Sequence, residues 1–219
     1  MYYLALQNTY DEVQCALMNG EDLIDQVSLS KLHASASLIN ELNELLSRNN
    51  QSITDMKFIA ANVGPGPFTT LRVVITTVNG LSFAQKIPLI GVNALDAAAR
   101  EWDASLEPTA ILLNAFGDDV YTLLIKDDAQ LLYGSYSIET VVQTVKKLET
   151  PVRFLGNGTT LHQTTLQNEL GQLAIIPESI PPYCSLQTIA LMGYEKWKQS
   201  AGKTMQLEPV YLKQHPAAY

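Results

Sequence analysis

The chain carries, between residues 64 and 72, the stretch Gly64-Pro65-Gly66-Pro67-Phe68-Thr69-Thr70-Leu71-Arg72. It follows an apolar run that predicts a buried strand and precedes a helix predicted from about residue 69 to 84. Glycines at such a turn let the backbone approach a ligand, and the helix N-terminus offers N–H groups to an anion. The stretch lacks the G-K-[ST] of a Walker loop, and it departs from the dinucleotide fingerprint at Thr69. It is either a structural turn or a loop that binds a ligand or a partner.

The residues before this turn predict three strands and a helix. The strands cover residues 2–7, 12–18 and 23–29, and Asn19-Gly20 is typical of a hairpin turn. A helix follows, because leucines recur at helical spacing from Leu38 to Leu46. A strand at residues 57–63 then leads into the turn. The first half therefore reads strand, strand, strand, helix, strand, helix.

The second half of the chain predicts the same order of elements. Its strands cover residues 110–113, 120–125 and 130–136, and a helix at 138–148, a strand at 152–155 and a helix at 159–170 follow. Three antiparallel strands followed by strand–helix units are typical of a ribonuclease-H-like lobe. We therefore predict an α/β protein with two such lobes, the architecture of actin-like ATPases, sugar kinases and Hsp70. The N-terminal lobe is predicted to cover residues 1–103 and the C-terminal lobe residues 104–219.

Composition restricts the classes of function. The 219 residues include 47% hydrophobic and 16% charged side chains, which excludes a disordered chain. The formal net charge of −8 argues against binding of nucleic acid by this chain alone, because such binding depends on neutralising phosphates. No apolar run is long enough for a membrane span, and the N-terminus lacks the basic start of a signal peptide. We expect a cytoplasmic protein without a membrane partner.

Side chains for catalysis are sparse in this sequence. His33, His162 and His215 lack metal-site spacing, and the two cysteines form no C-x-x-C motif. An actin-like ATPase needs a carboxylate at the end of its first strand to hold Mg²⁺-bound phosphate. This chain has Gln7 and Asn8 there, and neutral amides are weak ligands for a hard cation. We predict no catalytic residues, no metal site and no cofactor.

Four segments resemble motifs of the TsaB (YeaZ) family of bacterial tRNA threonylcarbamoyladenosine biosynthesis proteins. Residues 64–72, GPGPFTTLR, are similar to G-P-G-S-F-T-G-[LV]-R, the hallmark of that family. Residues 78–81 resemble A-[KQ]-G-L, residues 87–92 resemble I-P-[LM]-[IV]-G-V, and residues 208–213 resemble E-P-V-Y-L-R. The motif-loop residues carried over by this match are Gly64, Pro65, Gly66, Phe68, Thr69 and Arg72.

The resemblance implies a function as well as a fold. Members of the family are non-catalytic scaffold subunits with two actin-like lobes. They pair with the larger paralogue TsaD and with the ATPase TsaE for transfer of a threonylcarbamoyl group to adenosine 37 of tRNA, and a homodimer is expected for the chain alone. The alternative is a nucleotide-binding ATPase or kinase of the same fold, and a metal-dependent peptidase ranks third.

The sequence also departs from the family's motifs. Leu6-Gln7-Asn8-Thr9 stands where the family's first strand ends I-D-T, and residues 114–121, NAFGDDVY, replace D-A-R-x-G-E-V-Y. Pro67 and Thr70 replace the serine and the third glycine of the hallmark. The loss of the first-strand Asp and of the second-lobe Asp and Arg argues against small-molecule or nucleotide binding, whereas the predicted fold is unaffected.

The family's partner surface maps onto the helix after the GPG turn and the helix before it. Thr70, Val74 and Val78 recur every four residues, and so lie on one face of the second of these helices. The predicted interface combines that face with leucines of the preceding helix, so that its members are Leu38, Leu42, Leu45, Thr70, Val74 and Val78. The alternative is that this face is part of the core.

Overall fold

The computed structural model describes residues 1–213 of the chain. The elements up to residue 101 are β1 (Tyr2–Asn8), β2 (Glu12–Asn19), β3 (Asp22–Ser30), α1 (Lys31–Arg48), β4 (Ile59–Asn62), α2 (Phe68–Gln85), β5 (Leu89–Val92) and α3 (Ala94–Glu101). The later elements are β6 (Thr109–Asn114), β7 (Asp119–Lys126), β8 (Ala129–Ser137), α4 (Ile138–Leu148), β9 (Val152–Leu155), α5 (Asn157–Leu161), α6 (Gln163–Leu170), β10 (Ala174–Ile175), α7 (Leu186–Lys198) and β11 (Lys203–Thr204). Within the described residues, no helix combines the length and apolarity needed to cross a bilayer.

The two sheets repeat one strand order. The first sheet runs β11-β5-β4-β1-β2-β3, and the second runs β10-β9-β6-β7-β8. In each, the first three strands pair antiparallel, whereas the fourth strand of the unit lies parallel to the first. This is the arrangement predicted from the repeated element order, and it confirms an α/β fold with two lobes of one topology.

The chain divides into two units at positions that the sequence did not predict. The first unit holds Met1–Ala97 and Ser185–Val210, and the second holds Ala98–Cys184 and the segment that begins at Tyr211. The prediction assigned all of residues 104–219 to the C-terminal lobe. The structure instead places residues 185–210, which include α7 and β11, with the first unit.

Aromatic packing explains why α7 belongs to the first unit. The Phe58 ring lies between Tyr3 and Trp197, with centroids 4.4 Å and 4.8 Å away. Gly193 of α7 lies against Ala60 of β4, so closely that a Cβ on this glycine would be 2.4 Å from the Ala60 Cβ. Helical periodicity predicts which face of α7 is apolar, but it carries no information about which sheet that face covers.

The opposite face of the first sheet is covered by α1 and α2. Their apolar stripes, which include Leu38, Leu45, Val74 and Val78, are buried against β1, β2 and β4. The second sheet is covered similarly by α4 and α6, with Phe154 of β9 in that core. The single helix predicted at 159–170 is divided into α5 and α6 at His162, whose φ of −107° departs from helical values.

A pair of charges joins the end of α1 to β3. Arg48 Nε lies 2.6 Å from Asp25 Oδ2, and Asn49 Nδ2 donates to the same oxygen at 2.7 Å. These two hydrogen bonds lower the pKa of Asp25 to about 2, and the bond from Arg48 has the larger effect. The folded chain therefore holds this carboxylate ionised at a pH where the unfolded chain, with a pKa of about 3.9, has begun to protonate it.

We expect Asp25→Asn to lower the free energy of unfolding at pH 7, and the difference from the wild type to shrink as pH falls from about 4 to about 2. A depressed pKa stabilises the folded state above the unfolded-state value, and this contribution is lost as pH falls through the folded-state value. Urea unfolding at pH 7, 4, 3 and 2 measures it. Asp22→Asn, an exposed carboxylate on the same strand, is the control. A difference independent of pH would contradict the prediction.

Candidate functional site

The GPG turn is fastened to the first sheet by Asn62, the last residue of β4. Asn62 Oδ1 accepts a bond from the Gly64 N–H at 2.8 Å, and its Nδ2 donates to the Asn8 carbonyl at 3.4 Å. Gly64 has a φ of +97°, and a Cβ there would lie 3.2 Å from the Val210 carbonyl oxygen. Glycine is required at this position by both conformation and space. These contacts favour a structural role for the first part of the turn.

The other motif-loop residues divide into a buried and an exposed set. Pro65 and Gly66 are buried and Phe68 is half-buried, whereas Thr69 and Arg72 are exposed. The guanidinium carbon of Arg72 lies 5.7 Å from the centroid of the Phe68 ring, a cation–π contact within one turn of α2. Only the helical part of the motif is therefore available to another molecule.

The end of β1 lies beneath this turn. Asn8 is 3% exposed, and a Cβ on Gly66 would lie 3.0 Å from Asn8 Nδ2. Within residues 1–213, neither side-chain atom of Asn8 has a hydrogen-bond partner. A neutral amide at this place supplies no charge for a bound cation. Asn8, one of the two amides predicted in place of the phosphate-site carboxylate, is therefore buried next to the motif loop.

Candidate nucleophiles and metal ligands are dispersed in the described residues. His33 of α1 is hydrogen-bonded to Ser30 at the end of β3, and burial lowers the pKa of His162 between α5 and α6. Cys15 and Cys184 are buried, and burial raises the pKa of both thiols, which disfavours the reactive thiolate. No group of three or more His, Cys, Asp or Glu within residues 1–213 is placed to hold a metal ion. His215 lies outside the described residues.

The other motif segments of the first unit meet one another. The Asn79 carboxamide makes two hydrogen bonds with the backbone of Leu207. Its Nδ2 donates to the Leu207 carbonyl at 2.9 Å, and its Oδ1 accepts from the Leu207 N–H at 2.8 Å. A Cβ on Gly91 would lie 2.9 Å from Val63 and 3.1 Å from Leu207. Val210 N–H donates to the Val63 carbonyl at 2.7 Å. Residues 203–210, which we term the strap, therefore link the end of β4, β5 and α2.

We expect Asn79→Ala to lower the free energy of unfolding by about 2 kcal/mol, because it leaves both backbone groups of Leu207 without partners in a half-buried setting. The strap should also be cleaved faster in limited proteolysis. Urea unfolding and mass spectrometry of the fragments measure the two effects. Gln85→Ala removes an exposed amide from the same helix and serves as the control. Equal cleavage rates in both variants would contradict a fastening role for Asn79.

The end of the last motif lies in the second unit. Lys213 Nζ lies 2.8 Å from Asp119 Oδ2 and donates to the carbonyls of Ala115 and Phe116 at 3.0 Å and 3.1 Å. Phe116 has a φ of +63°, a left-handed conformation that is uncommon for a large side chain. Lys213 thus fixes the turn between β6 and β7, which is the central part of the segment 114–121 that replaces the family's second-lobe motif.

The structure contradicts the predicted partner contacts. Leu38, Leu42, Leu45, Val74 and Val78 are at most 3% exposed, and all belong to the first unit's core. Thr70 is 2% exposed and donates to the carbonyls of Thr9 and Pro67. Their burial leaves them too little exposed surface for central contacts with another protein, although Leu42 also lines a surface depression. The repeat of β-branched residues on α2 is therefore explained by core packing, which was the stated alternative.

The other side of the same two helices is exposed and partly apolar. Leu32, Ile39 and Phe83 are 81%, 53% and 78% exposed. The spacing of Leu32, Ser35 and Ile39 aligns them on α1, and that of Arg72, Thr76 and Phe83 aligns them on α2. We name this surface the α1–α2 face and define it by Leu32, Ser35, Ile39, Arg72, Thr76 and Phe83. The sequence pointed to this face only by apolar residues, such as Leu32 and Ile39, that lie outside the row of helix positions buried in the core.

Two depressions lie between these helices. The first, of about 280 Å³, is lined by Ser35, Arg72, Val73, Thr76 and Thr77, and we name it the Arg72 cleft. The second, of about 290 Å³, is lined mainly by apolar side chains, among them Ile39, Leu42, Leu46, Ile53 and Leu81, and we name it the apolar groove. Both are open to solvent, and together they give the α1–α2 face a charged region and an apolar region.

Comparison with solved structures identifies the fold. A Pseudomonas aeruginosa protein described as similar to the peptidase YeaZ superposes with a TM-score of 0.71 at 21% identity, covering 97% of this chain and 99% of that one. A Bacteroides thetaiotaomicron protein with an actin-like ATPase fold gives 0.54 at 12% identity, covering 87% and 95%. These similarities confirm the predicted actin-like architecture.

Sequence comparison identifies the family. The model of the TsaD family, described as tRNA N6-adenosine threonylcarbamoyltransferase, matches residues 28–214. The Bacillus subtilis tRNA threonylcarbamoyladenosine biosynthesis protein TsaB is 25% identical, over 97% of this chain and 94% of that protein. A Chlamydia trachomatis tRNA N6-adenosine threonylcarbamoyltransferase is 28% identical over 84% of this chain, but the match spans only 60% of that enzyme. The chain therefore belongs to the TsaD family, and within that family it is of the TsaB (YeaZ) type.

Proposed function

We propose that this chain is a non-catalytic scaffold subunit in tRNA threonylcarbamoyladenosine biosynthesis, which pairs in the cytoplasm with the TsaD paralogue and the ATPase TsaE for transfer to adenosine 37. The observation that carries the proposal is similarity along nearly the whole of a TsaB protein, against 60% of the length of a transferase. The chain matches the accessory protein in length and the transferase only in part.

The chemistry of the buried strand ends supports an accessory role. Gln7 and Asn8 place neutral amides where an ATPase of this fold needs a carboxylate. In the second unit, Asn114 and Phe116 stand where the family has an acidic and a basic residue. Within residues 1–213, no group of three or more metal-ligating side chains lies at either place, and the proposal assigns the reaction itself to TsaD.

The α1–α2 face supports pairing with another protein. Large apolar side chains exposed together on one surface are typical of protein–protein interfaces. Ile39 and Phe83 are such side chains, and the apolar groove lies beside Ile39. We assign this face to TsaD in the complex and to a second copy of the chain when TsaD is absent. The net charge of −8 leaves the tRNA-binding surface to the partners.

Co-purification tests the proposal directly. The tagged chain is co-expressed with the TsaD paralogue and TsaE of the same organism, and threonylcarbamoyladenosine formation on an unmodified tRNA is measured with each component omitted. We expect TsaD to co-purify in sizing chromatography and the modification to require this chain. Modification at an unchanged rate without the chain would overturn the proposed function. ATP turnover by the chain alone would overturn its non-catalytic part.

A further inference from the structure

Four aromatic rings form a stacked column where α7 packs on the first sheet. Tyr3 of β1 and Phe58, which precedes β4, lie next to each other with their centroids 4.4 Å apart. Tyr194 of α7 stacks on Tyr3 at 5.7 Å, and Trp197 of α7 stacks on Phe58 at 4.8 Å. The planes of neighbouring rings differ by at most 14°. The two α7 rings are therefore the ends of the column, and no other ring of the column covers their outer faces.

A lysine ammonium lies over each end of the column. Lys198 Nζ is 4.5 Å from the Tyr194 centroid, and Lys203 Nζ is 3.8 Å from the Trp197 centroid. Lys198 is also paired with Glu21 at 3.3 Å, so its charge is compensated. In the part of the chain that the structure describes, Lys203 forms no ion pair, and it is exposed. We name the Trp197 end the open end, since it offers a flat ring and an uncompensated cation.

The sequence around the open end is basic, although the chain as a whole is acidic. Residues 196–207 contain three lysines, one tryptophan and no acidic residue, whereas the net charge of the chain is −8. Lys196 donates to the Gly91 carbonyl at 2.9 Å and Lys198 is paired as described, which leaves Lys203 for a ligand. A ligand that uses both groups of the open end combines a flat aromatic group with an anion.

An unpaired nucleotide in an RNA strand has this combination. Proteins that bind single strands stack bases on aromatic side chains and hold the phosphates with basic ones. In RNA every base is accompanied by a phosphate, whereas a protein has the combination only where an acidic residue adjoins an aromatic one. A base on Trp197 displaces the Lys203 ammonium, which then becomes available to a phosphate. Losing the exposed cation–π contact costs a factor of about 2 to 5 in binding, whereas one base stack adds a factor of about 5 to 150.

We infer that Trp197 and Lys203 form a contact site for the tRNA substrate, in which an unpaired base stacks on the indole and Lys203 binds a neighbouring phosphate. One cation cannot outweigh a net charge of −8, so this contact adds to the tRNA-binding surface of the partners and does not replace it. The inference rests on the proposed function, because that function makes a tRNA the substrate of the complex.

Fluorine NMR of the chain labelled with 5-fluorotryptophan observes the stack directly. The chain has two tryptophans, and Trp102→Phe assigns their resonances. In the chain alone, at about 50 mM KCl, we expect millimolar single-stranded oligoadenylate to shift the Trp197 resonance and to leave that of Trp102 in place. Unmodified tRNA should shift the same resonance in the complex with TsaD and TsaE. A Trp197 resonance that neither RNA shifts would overturn the inference, and the first titration decides this even where no complex forms.

The salt dependence of tRNA binding by the assembled complex tests Lys203. We expect Lys203→Ala to lower the slope of log K against log [KCl] by about 0.7–0.9, the contribution of one phosphate contact. Lys147→Ala removes an exposed lysine from α4 of the second unit and should keep the wild-type slope. Trp197→Leu should weaken tRNA binding about 5- to 150-fold, and a thermal melt checks that α7 still packs.

The outcomes separate this inference from the proposed function. If Lys203→Ala keeps the wild-type slope while tRNA modification still requires the chain, the inference is overturned and the proposed function stands. If Lys203→Glu weakens binding of TsaD or TsaE but not of tRNA, the ligand is an acidic protein segment and the inference is overturned. A Trp197 shift with AMP and none with RNA assigns the open end to a free nucleotide, which also overturns it. A Trp197 shift with oligoadenylate and no co-purification of TsaD supports the contact with RNA and contradicts the proposed function.

Discussion

Replacing Gly156 by alanine is expected to lower the free energy of unfolding by about 4 kcal/mol. Gly156 precedes α5 with φ 91° and ψ 163°, a backbone conformation that is almost restricted to glycine. A Cβ there would also lie 2.3 Å from the carbonyl oxygen of Leu112 in β6, which is backbone and cannot rotate away. The expected magnitude combines the strained conformation with the forced displacement of a central strand.

Gly117→Ala separates these two causes. Gly117 also has a positive φ, of 72°, but no atom lies within 4 Å of the position of its Cβ. It should therefore cost only about 1–2 kcal/mol. Each unit contains one of the two tryptophans, Trp102 in the second and Trp197 in the first. Urea unfolding in single-tryptophan backgrounds should show the effect of Gly156→Ala in the Trp102 signal. Equal losses for the two glycine variants would contradict a clash at Leu112.

Combining Ile39→Glu with Phe83→Glu is expected to weaken association with the TsaD paralogue at least 100-fold, and to abolish self-association. Both side chains are more than half exposed, so the charges are tolerated in the free chain and become buried only when a partner covers the α1–α2 face. Calorimetry and sizing chromatography measure the association, and a thermal melt checks the fold. Val74→Glu, at a position with no exposure, should instead unfold the first unit.

Leu161→Glu is the matched control for this pair. Leu161 is 56% exposed and lies on α5 of the second unit, whereas α1 and α2 belong to the first unit. It adds one negative charge, half of what the pair adds, at an apolar position about as exposed as Ile39. We expect wild-type association for it. Wild-type association of the Ile39→Glu, Phe83→Glu variant, with an unchanged melt, would remove the α1–α2 face from the proposed interface.

The order of strands and helices could be predicted because its signals are local. Alternation and the Asn19-Gly20 pair define the antiparallel hairpins, and leucine spacing defines α1. The GPG turn was placed correctly between β4 and α2. The two-residue strand β11 gave no signal, because its pairing with Leu89 and Ile90 depends on a contact between distant parts of the chain.

The site was harder to predict than the fold. An apolar stripe on a helix predicts burial, but it does not distinguish burial in the core from burial by a partner. Val74 and Val78 were assigned to a partner and lie in the core. The residues that are open to a partner, such as Ile39 and Phe83, lie off that stripe, where single apolar residues are ordinary. Arg72 was selected as part of the motif, whereas the cleft that it lines also depends on Ser35 of the preceding helix, which the motif does not include.

Because residues 185–210 belong to the first unit, that unit cannot be completed during synthesis until the main segment of the second unit has been made. The second unit's main segment, Ala98–Cys184, leaves the ribosome before α7 and the strap do. About 90 residues of that segment require roughly 5–20 s of synthesis. Throughout this interval Tyr3, Phe58 and Ala60 are not covered by α7, because that helix has not yet been synthesised. The lobe that begins first is thus completed last, and its aromatic surface stays uncovered while the main segment of the second unit is synthesised.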